Sequence, residues 1–312
     1  MTDFSVWADP VLWRVTLAGA IRLATPIAFA AIGEMVAERA GTLNLSIDAV
    51  MTAGALAAVI AAAVGGWLAG VAAAAAVGLL LGLAMAALTV VGRLNQIVAG
   101  IAVSLVGYGL SDYVFELWQP SGQLTPLAPL VPTVRLPGLS AIPFIGDVMF
   151  KQSLLTYGAV ALAALVSFVL RRTRLGLMLR AAGDDSAAAS LRGVAVGQMR
   201  GLSLAFGGAA AGVGGAAITL GFLGSFTEGA TGGRGYVAIA VVIIGRWTPL
   251  GALAAALLFA AFDSFSLRAQ TLLPGWPGEA FSMLPYVVTL LVLVLTARGN
   301  VAPVELGRGS DA

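Results

Sequence analysis

The chain has 312 residues, 59% of them hydrophobic and only 10% charged, with a net charge of +2 and a mean hydropathy of +0.97. A soluble domain carries roughly 25% charge, so a soluble globular fold is excluded and an all-α, polytopic membrane protein is expected. No cysteine or histidine is present, which excludes disulfides, thiolate chemistry and histidine-based metal or acid–base sites.

Other enzyme classes fall on the same inventory. The single lysine, Lys151, follows no glycine loop, so a P-loop ATPase is excluded. No G-x-S-x-G pattern occurs, and without histidine a serine triad cannot form. The opening stretch, MTDFSVWADPVLWRV, lacks a basic region before an apolar core. An uncleaved first span is therefore expected.

A membrane span needs about 20 apolar residues. The first is expected at 15–36, with Arg22 inside it. Residues 49–92 carry no charge and are long enough for two spans, with Gly65-Gly66 as the break. A fourth span is expected at 94–115. Six prolines between Pro120 and Pro143 make poor helix, so 117–151 reads as an extracytoplasmic Pro-rich loop. The fifth span is expected at 152–170 and the sixth at 201–223. A Gly-rich break at 224–235 precedes a short span at 235–245, whose flanking arginines, Arg234 and Arg246, are expected to snorkel. Spans at 249–267 and 281–297 complete a set of about nine, with eight to ten as the range, in one transmembrane domain over 1–312.

Charge gathers in one place. Residues 171–200, RRTRLGLMLRAAGDDSAAASLRGVAVGQMR, hold six arginines and an Asp-Asp pair between two apolar runs. By the positive-inside rule this loop lies in the cytoplasm. Alternating outward from it puts Arg39, Arg93, Arg246, Arg298 and Arg308 inside as well, with the C-terminus inside and the N-terminus outside. Within the loop, Asp184 and Asp185 suit a helix start, Ser186 to Arg192 are good helix formers, and Gly193 offers a left-handed stop. The resulting helix of about two turns is too short to hold alone. It either docks on a partner or forms a solvated hairpin.

Small-xxx-small pairs at Gly66/Gly70, Gly78/Gly82 and Gly208/Gly212 point to close helix packing. Arg22, Glu34, Asp48, Asp112, Glu228 and Asp263 fall at or near membrane depth, where ionisable groups need a cavity or a partner. Glu34, Glu38 and Arg39 read as interfacial. Asp48 either caps the second span or lines a pathway. Asp263 either bonds Ser264 or Ser266 or serves a pathway, and Glu228 can pair with Arg234 across the Gly-rich break.

Four segments resemble permease subunits of bacterial ATP-binding-cassette (ABC) importers, within the branched-chain amino acid and simple-sugar superfamily and its nucleoside-type branch. They are GEMVAERAGTLNLSIDAVMTAGALAA at 33–58, RLNQIVAGIAVSLVGYGLS at 93–111, TRLGLMLRAAGDDSAAASLRGV at 173–194 and SFTEGATGGRGYVAIAVVIIGRWTPLGALAAALLF at 225–259. The chain departs from the expected pattern at Asp48, where Glu is expected, and at Gly229-Ala230, where the family is more polar.

The resemblance implies a type II importer-like permease in the bacterial inner membrane, itself no enzyme and without a cofactor, since ATP is bound by a partner. It implies an ABC ATPase subunit, a second permease that is a different, longer chain, and an extracytoplasmic substrate-binding protein. The partners are these and the lipid bilayer, with no nucleic acid. The ATPase-coupling helix falls on Gly183, Asp184, Asp185, Ala188, Ala189, Leu191, Arg192 and Gly193. A pathway for a nucleoside-like or simple-sugar-like solute is expected to use Asn44, Ser46, Asp48, Asn95, Gln96 and Ser104. Two rivals stay open: an ion-gradient-driven secondary transporter, which would show paired broken helices around midplane charge, and an intramembrane enzyme, which the missing His and Cys disfavour.

Overall fold

A computed structural model describes residues 9–119, 127–135, 137–138, 140, 142–273, 275–296 and 302–307. Eleven helices and one small hairpin are present among them. The first helix, α1 (Pro10–Arg39), starts with Pro10 in its first turn and with the Asp9 side chain accepting from the Val11 N–H at 2.8 Å. Both features suit an N-terminus, where backbone N–H groups lack partners.

The next helix, α2 (Ile47–Ala86), continues as a π-helical turn, Ala87–Val91. It is interrupted at Gly66, which takes φ 76° and ψ 176°. Gly70 then lies against the Ala58 carbonyl and Ala62. Twelve residues of straight helix would separate 58 from 70 by about 18 Å, so the helix folds back at Gly66 and forms two legs, 47–65 and 67–91. This is the break expected from Gly65-Gly66. The second leg, at about 1.5 Å per residue, is long enough to cross the hydrocarbon core.

The remaining elements are α3 (Gln96–Trp118), β1 (Thr133–Arg135), α4 (Ile145–Met149), β2 (Lys151–Ser153), α5 (Leu154–Arg172), α6 (Arg174–Asp184), α7 (Ser186–Leu191), α8 (Val196–Ile218, extended by a π-helical turn Thr219–Leu223), α9 (Arg234–Ile244), α10 (Pro249–Leu272) and α11 (Gly278–Thr296). The strands pair antiparallel, Thr133 opposite Ser153 and Arg135 opposite Lys151. The expected Pro-rich loop thus holds a small hairpin and the single turn α4, and its residues 120–126 lie outside the described set. Seven helices are long and apolar enough to cross a membrane, one of them the folded pair of legs 47–91. α9 is shorter.

α8 runs through the middle of the bundle. Its glycines are spaced so that backbones touch. A Cβ on Gly78 would stand 2.2 Å from the Gly208 carbonyl oxygen, and one on Gly212 would stand 2.1 Å from that of Ala74. The Gly78/Gly82 and Gly208/Gly212 pairs therefore interlock the second leg of α2 with α8. Lipid supplies no hydrophobic drive between helices, so such close packing supplies the association energy. Gly33 of α1 meets Gly207 in the same way on another face of α8.

The connections sort into two ends. At one, the α1 terminus meets the α9–α10 turn: Trp247 donates to Glu38, and Arg39 donates to the Trp247 carbonyl at 2.9 Å. Residues 183–200 and 303–307 gather there too. Glu34 and Glu38, expected at an interface, are buried to 1% exposure, because this turn and residues 40–46 cover them. At the opposite end Ala128 donates to the Gly224 carbonyl, Val131 to that of Leu220, and Asp147 pairs with Arg14 and Lys151. Lys151, by hydrogen bond and charge, and then Arg14 hold the Asp147 carboxyl below its ordinary range. Arg39, Arg93, Arg171, Arg172, Arg174, Arg180, Arg192, Arg200 and Arg246 belong to the first end, which is the basic one.

Candidate functional site

Two breaks in the helical pattern meet inside the bundle. Residues 40–46 leave α1 at the basic end and climb along α3. Gly100 faces Leu45 and Gly107 faces Ala49. Residues 224–233 descend from the opposite end, with positive φ at Gly224, Gly229, Gly232 and Gly233. These lead into α2 and α9, whose first turns touch. A Cβ on Gly235 would stand 2.4 Å from the Asp48 backbone N and Cα, so only glycine allows this approach.

The contact lies at mid-depth. Tyr108, its neighbour, is twelve residues into α3, about 18 Å from its start. From there α9, with 11 residues, runs only about 16 Å to the basic end. It is thus a half-helix rather than the short full span expected at 235–245. Irregular backbone at this depth persists only where protein buries it or a cavity wets it.

Asp48 binds the two breaks together. Its Oδ1 accepts from the Gly235 N–H at 2.8 Å, and its Oδ2 accepts from the Thr231 hydroxyl at 3.0 Å and the Tyr108 hydroxyl at 2.7 Å. Thr52, one turn along α2, lies 3.2 Å from Thr231 by its hydroxyl. The sequence left Asp48 between capping its own helix and lining a pathway. The structure has it cap the neighbouring half-helix, α9, while sitting in the first turn of α2. Each helix N-terminus carries about half a positive charge, so one carboxylate here offsets two of them.

The other charges at this level pair off. Arg234, the first residue of α9, lies 3.5 Å from Asp263 of α10. Arg234 therefore neither snorkels nor joins Glu228. Asp263 pairs with it rather than with Ser264 or Ser266, which donate to the Thr16 and Phe281 carbonyls, each at 2.7 Å.

The remaining expected pathway residues sit between this level and the basic end. Asn44 donates its backbone N–H to Glu34, and its side-chain oxygen accepts from both N–H and Oγ of Ser46. Gln96 accepts from the Leu43 N–H at 2.7 Å, and Ser104 donates to the Leu45 carbonyl at 3.4 Å. All four are buried. Asn95 stands apart, exposed, as the side-chain cap of α3. Tyr108, Thr231 and Tyr236 join Asp48 here without having been expected. Tyr236 is 48% exposed, and its hydroxyl lies 3.5 Å from that of Tyr108. Their only signal was position within the segments 93–111 and 225–259.

At the basic end the expected coupling segment is two helices, not one. Asp184 ends α6 and Asp185 starts α7, its side chain accepting from the Ala188 N–H at 2.8 Å. Gly193 takes φ +83°, the left-handed stop expected of it. Ala189 is buried, whereas Leu191 and Arg192 face out, Leu191 at 89% exposure. Gly183 is pressed on α1: a Cβ there would stand 2.2 Å from the Arg39 carbonyl oxygen.

The bundle, with a half-helix at mid-depth and a short helix pair at its basic end, is that of a polytopic all-α membrane protein. Residues 16–293 match the family described as the permease component of the branched-chain amino acid transport system, and the chain belongs to that family. It is 32% identical over 93% of its length to the nucleoside ABC transporter permease NupC of Lactococcus lactis, covering 94% of that protein. It is 32% identical to the guanosine ABC transporter permease NupQ of Bacillus subtilis, over 86% of this chain and 88% of that one. A putative glucose ABC transporter permease of Haloferax volcanii is 33% identical over 81% of this chain and 77% of its own. No solved structure matches.

Proposed function

We propose that the chain is the membrane subunit of an ATP-driven importer for a nucleoside-like solute, guanosine among the candidates, or a simple sugar. Its basic end lies in the cytoplasm of a bacterial inner membrane, in keeping with the positive-inside rule. An ABC ATPase binds α7, a second and longer permease chain completes the pathway, and an external binding protein delivers the solute. ATP is bound and hydrolysed by the ATPase subunit.

The observation that carries this reading is the α6–α7 segment. Its second helix, α7, has six residues and ends on outward-facing Leu191 and Arg192, while Gly183 of α6 sets the segment directly on the end of α1. Such a helix cannot persist alone in water, and its exposed face is available to a partner. Asn44, Ser46, Asp48, Asn95, Gln96 and Ser104 remain the proposed pathway set. Within it the solute meets the Asp48 cluster, where Tyr236 presents both a ring and a hydroxyl.

The half-helix α9 also fits the geometry of ion-coupled transporters. There, however, the carboxylate must be open to an ion, and all three donors on Asp48 come from the protein itself. The test is uptake of tritiated guanosine and of labelled glucose into proteoliposomes holding the complex purified through this chain. Accumulation that requires ATP supports the importer. Accumulation of either probe by this chain alone, without ATP, overturns it.

A further inference from the structure

The C-terminal segment reaches back to α6 and α7, where Glu305 bonds α6 through its backbone and α7 and α8 through its carboxylate. Glu305 is 7% exposed. Its backbone N–H donates to the Gly183 carbonyl at 2.9 Å, serving one of the last four carbonyls of α6, which no helical N–H can reach. Its Oε2 accepts from the Ser186 hydroxyl at 3.1 Å and from Arg200 at 3.4 Å. Arg200, in the first turns of α8 and itself 8% exposed, donates its Nε–H to the Ala40 carbonyl at 3.3 Å, the residue that closes α1. Gly41, at φ +85°, leaves room: a Cβ there would stand 3.0 Å from that of Glu305.

A cavity of about 480 Å3 lies between α7, the π-helical turn of α2 and the start of α8, bounded by Thr89, Arg93, Gln96, Ser186, Ser190 and Arg200. Ser186 and Arg200 border this open space, and both bond the buried carboxylate of Glu305, Arg200 as an ion pair. Breaking such a pair by removing one partner leaves the other charge buried and uncompensated, so the link resists being pulled apart.

We propose that Glu305 is a positioning residue for energy coupling. It ties α7 to the ends of α1 and α8, so that movement of α7 by the ATPase is delivered to both central helices together. This rests on the reading of α7 as the ATPase-docking helix. Nothing in the polar tail of the sequence singled out this residue.

The test uses the full complex purified with its ATPase and a reporter that needs no knowledge of the solute. The chain has no cysteine, so Tyr236→Cys provides a single thiol at the mid-depth site. Its labelling rate by a membrane-impermeant maleimide is compared with and without ATP and vanadate. In the otherwise unaltered complex ATP should change this rate by about fivefold or more, the usual span of coupling between distant sites. With Glu305→Gln the ATP-dependent change should be lost while the same amount of ATPase co-purifies. Ser186→Ala, which leaves both charges in place, should diminish the change, and the double variant should lose no more than Glu305→Gln alone, because both break one link.

An undiminished ATP response in Glu305→Gln overturns the inference. If that variant fails to accumulate, an undiminished response in Ser186→Ala does so. Arg192→Glu, on the outward face of α7, separates the two levels. If it abolishes the ATP response while Glu305→Gln does not, docking stands and the clamp falls. If no ATPase co-purifies with the unaltered chain, the docking reading fails and the clamp falls with it.

Discussion

Asp48 shows how much one side chain can fix. Replacing it by alanine leaves the buried Gly235 N–H without its acceptor and takes one partner from each of the Thr231 and Tyr108 hydroxyls. An unpaired buried donor costs about 1–3 kcal/mol, so Asp48→Ala should lower the free energy of unfolding in detergent by that order, read as a lower midpoint, and abolish uptake. An unchanged midpoint would mean that the cluster is solvated rather than bonded. Tyr236→Phe removes only a long hydroxyl contact, so its stability should stay within about 1 kcal/mol. Uptake should nevertheless fall if the solute passes there, and full uptake would remove Tyr236 from the pathway. The sequence made Asp48 conspicuous, as a carboxylate at the head of an uncharged run. Its partners were not legible, because Thr231 and Gly235 are brought to it by a chain reversal that leaves no local pattern. Glu34 and Glu38 looked interfacial for a similar reason. Their cover comes from Asn44 and from Trp247, the latter more than 200 positions away.

Among the elements, α2 and α8 depend on glycine at defined points. Gly78→Ala sets a methyl 2.2 Å from a backbone oxygen that cannot move aside, so this variant should not accumulate as folded protein in the membrane. Gly109→Ala, whose Cβ meets nothing within 4 Å, should accumulate normally, and it serves as the control for helix propensity. Gly66→Ala also has open space, but φ 76° strains any side chain. It should cost about 1–3 kcal/mol, because φ near 76° with ψ near 176° is a conformation kept almost wholly to glycine, seen as a lower melting temperature with uptake retained. Equal accumulation of Gly78→Ala and Gly109→Ala would show that the two helices are not in backbone contact. The long spans were legible because uninterrupted apolar length is a strong signal, and Gly65-Gly66 marked the hairpin correctly. α9 was misread as a short span because eleven apolar residues look alike whether they start at an interface or at mid-depth. The boundary between α6 and α7 was hidden by Asp184-Asp185, of which only the second caps a helix.

At the scale of the whole molecule, the proposed topology puts α7 and α9's C-terminal end on one side of the membrane and the β1–β2 hairpin on the other. Single cysteines at Arg192 and at Thr133, both exposed, test this in a chain that has none. The first should react with an impermeant maleimide only in inside-out vesicles, and the second only in right-side-out cells. The reverse pattern would invert the topology. Membership of the permease family was legible in four segments spread along the chain. The clamp at Glu305 was not, since a lone acid in a polar tail carries no pattern. The importer reading is decided by purifying this chain from membranes and following uptake of tritiated guanosine and labelled glucose in proteoliposomes with and without ATP. An ABC ATPase and a second permease should co-purify, and accumulation should stop when ATP is withheld. A chain that purifies alone and accumulates either probe without ATP would contradict it.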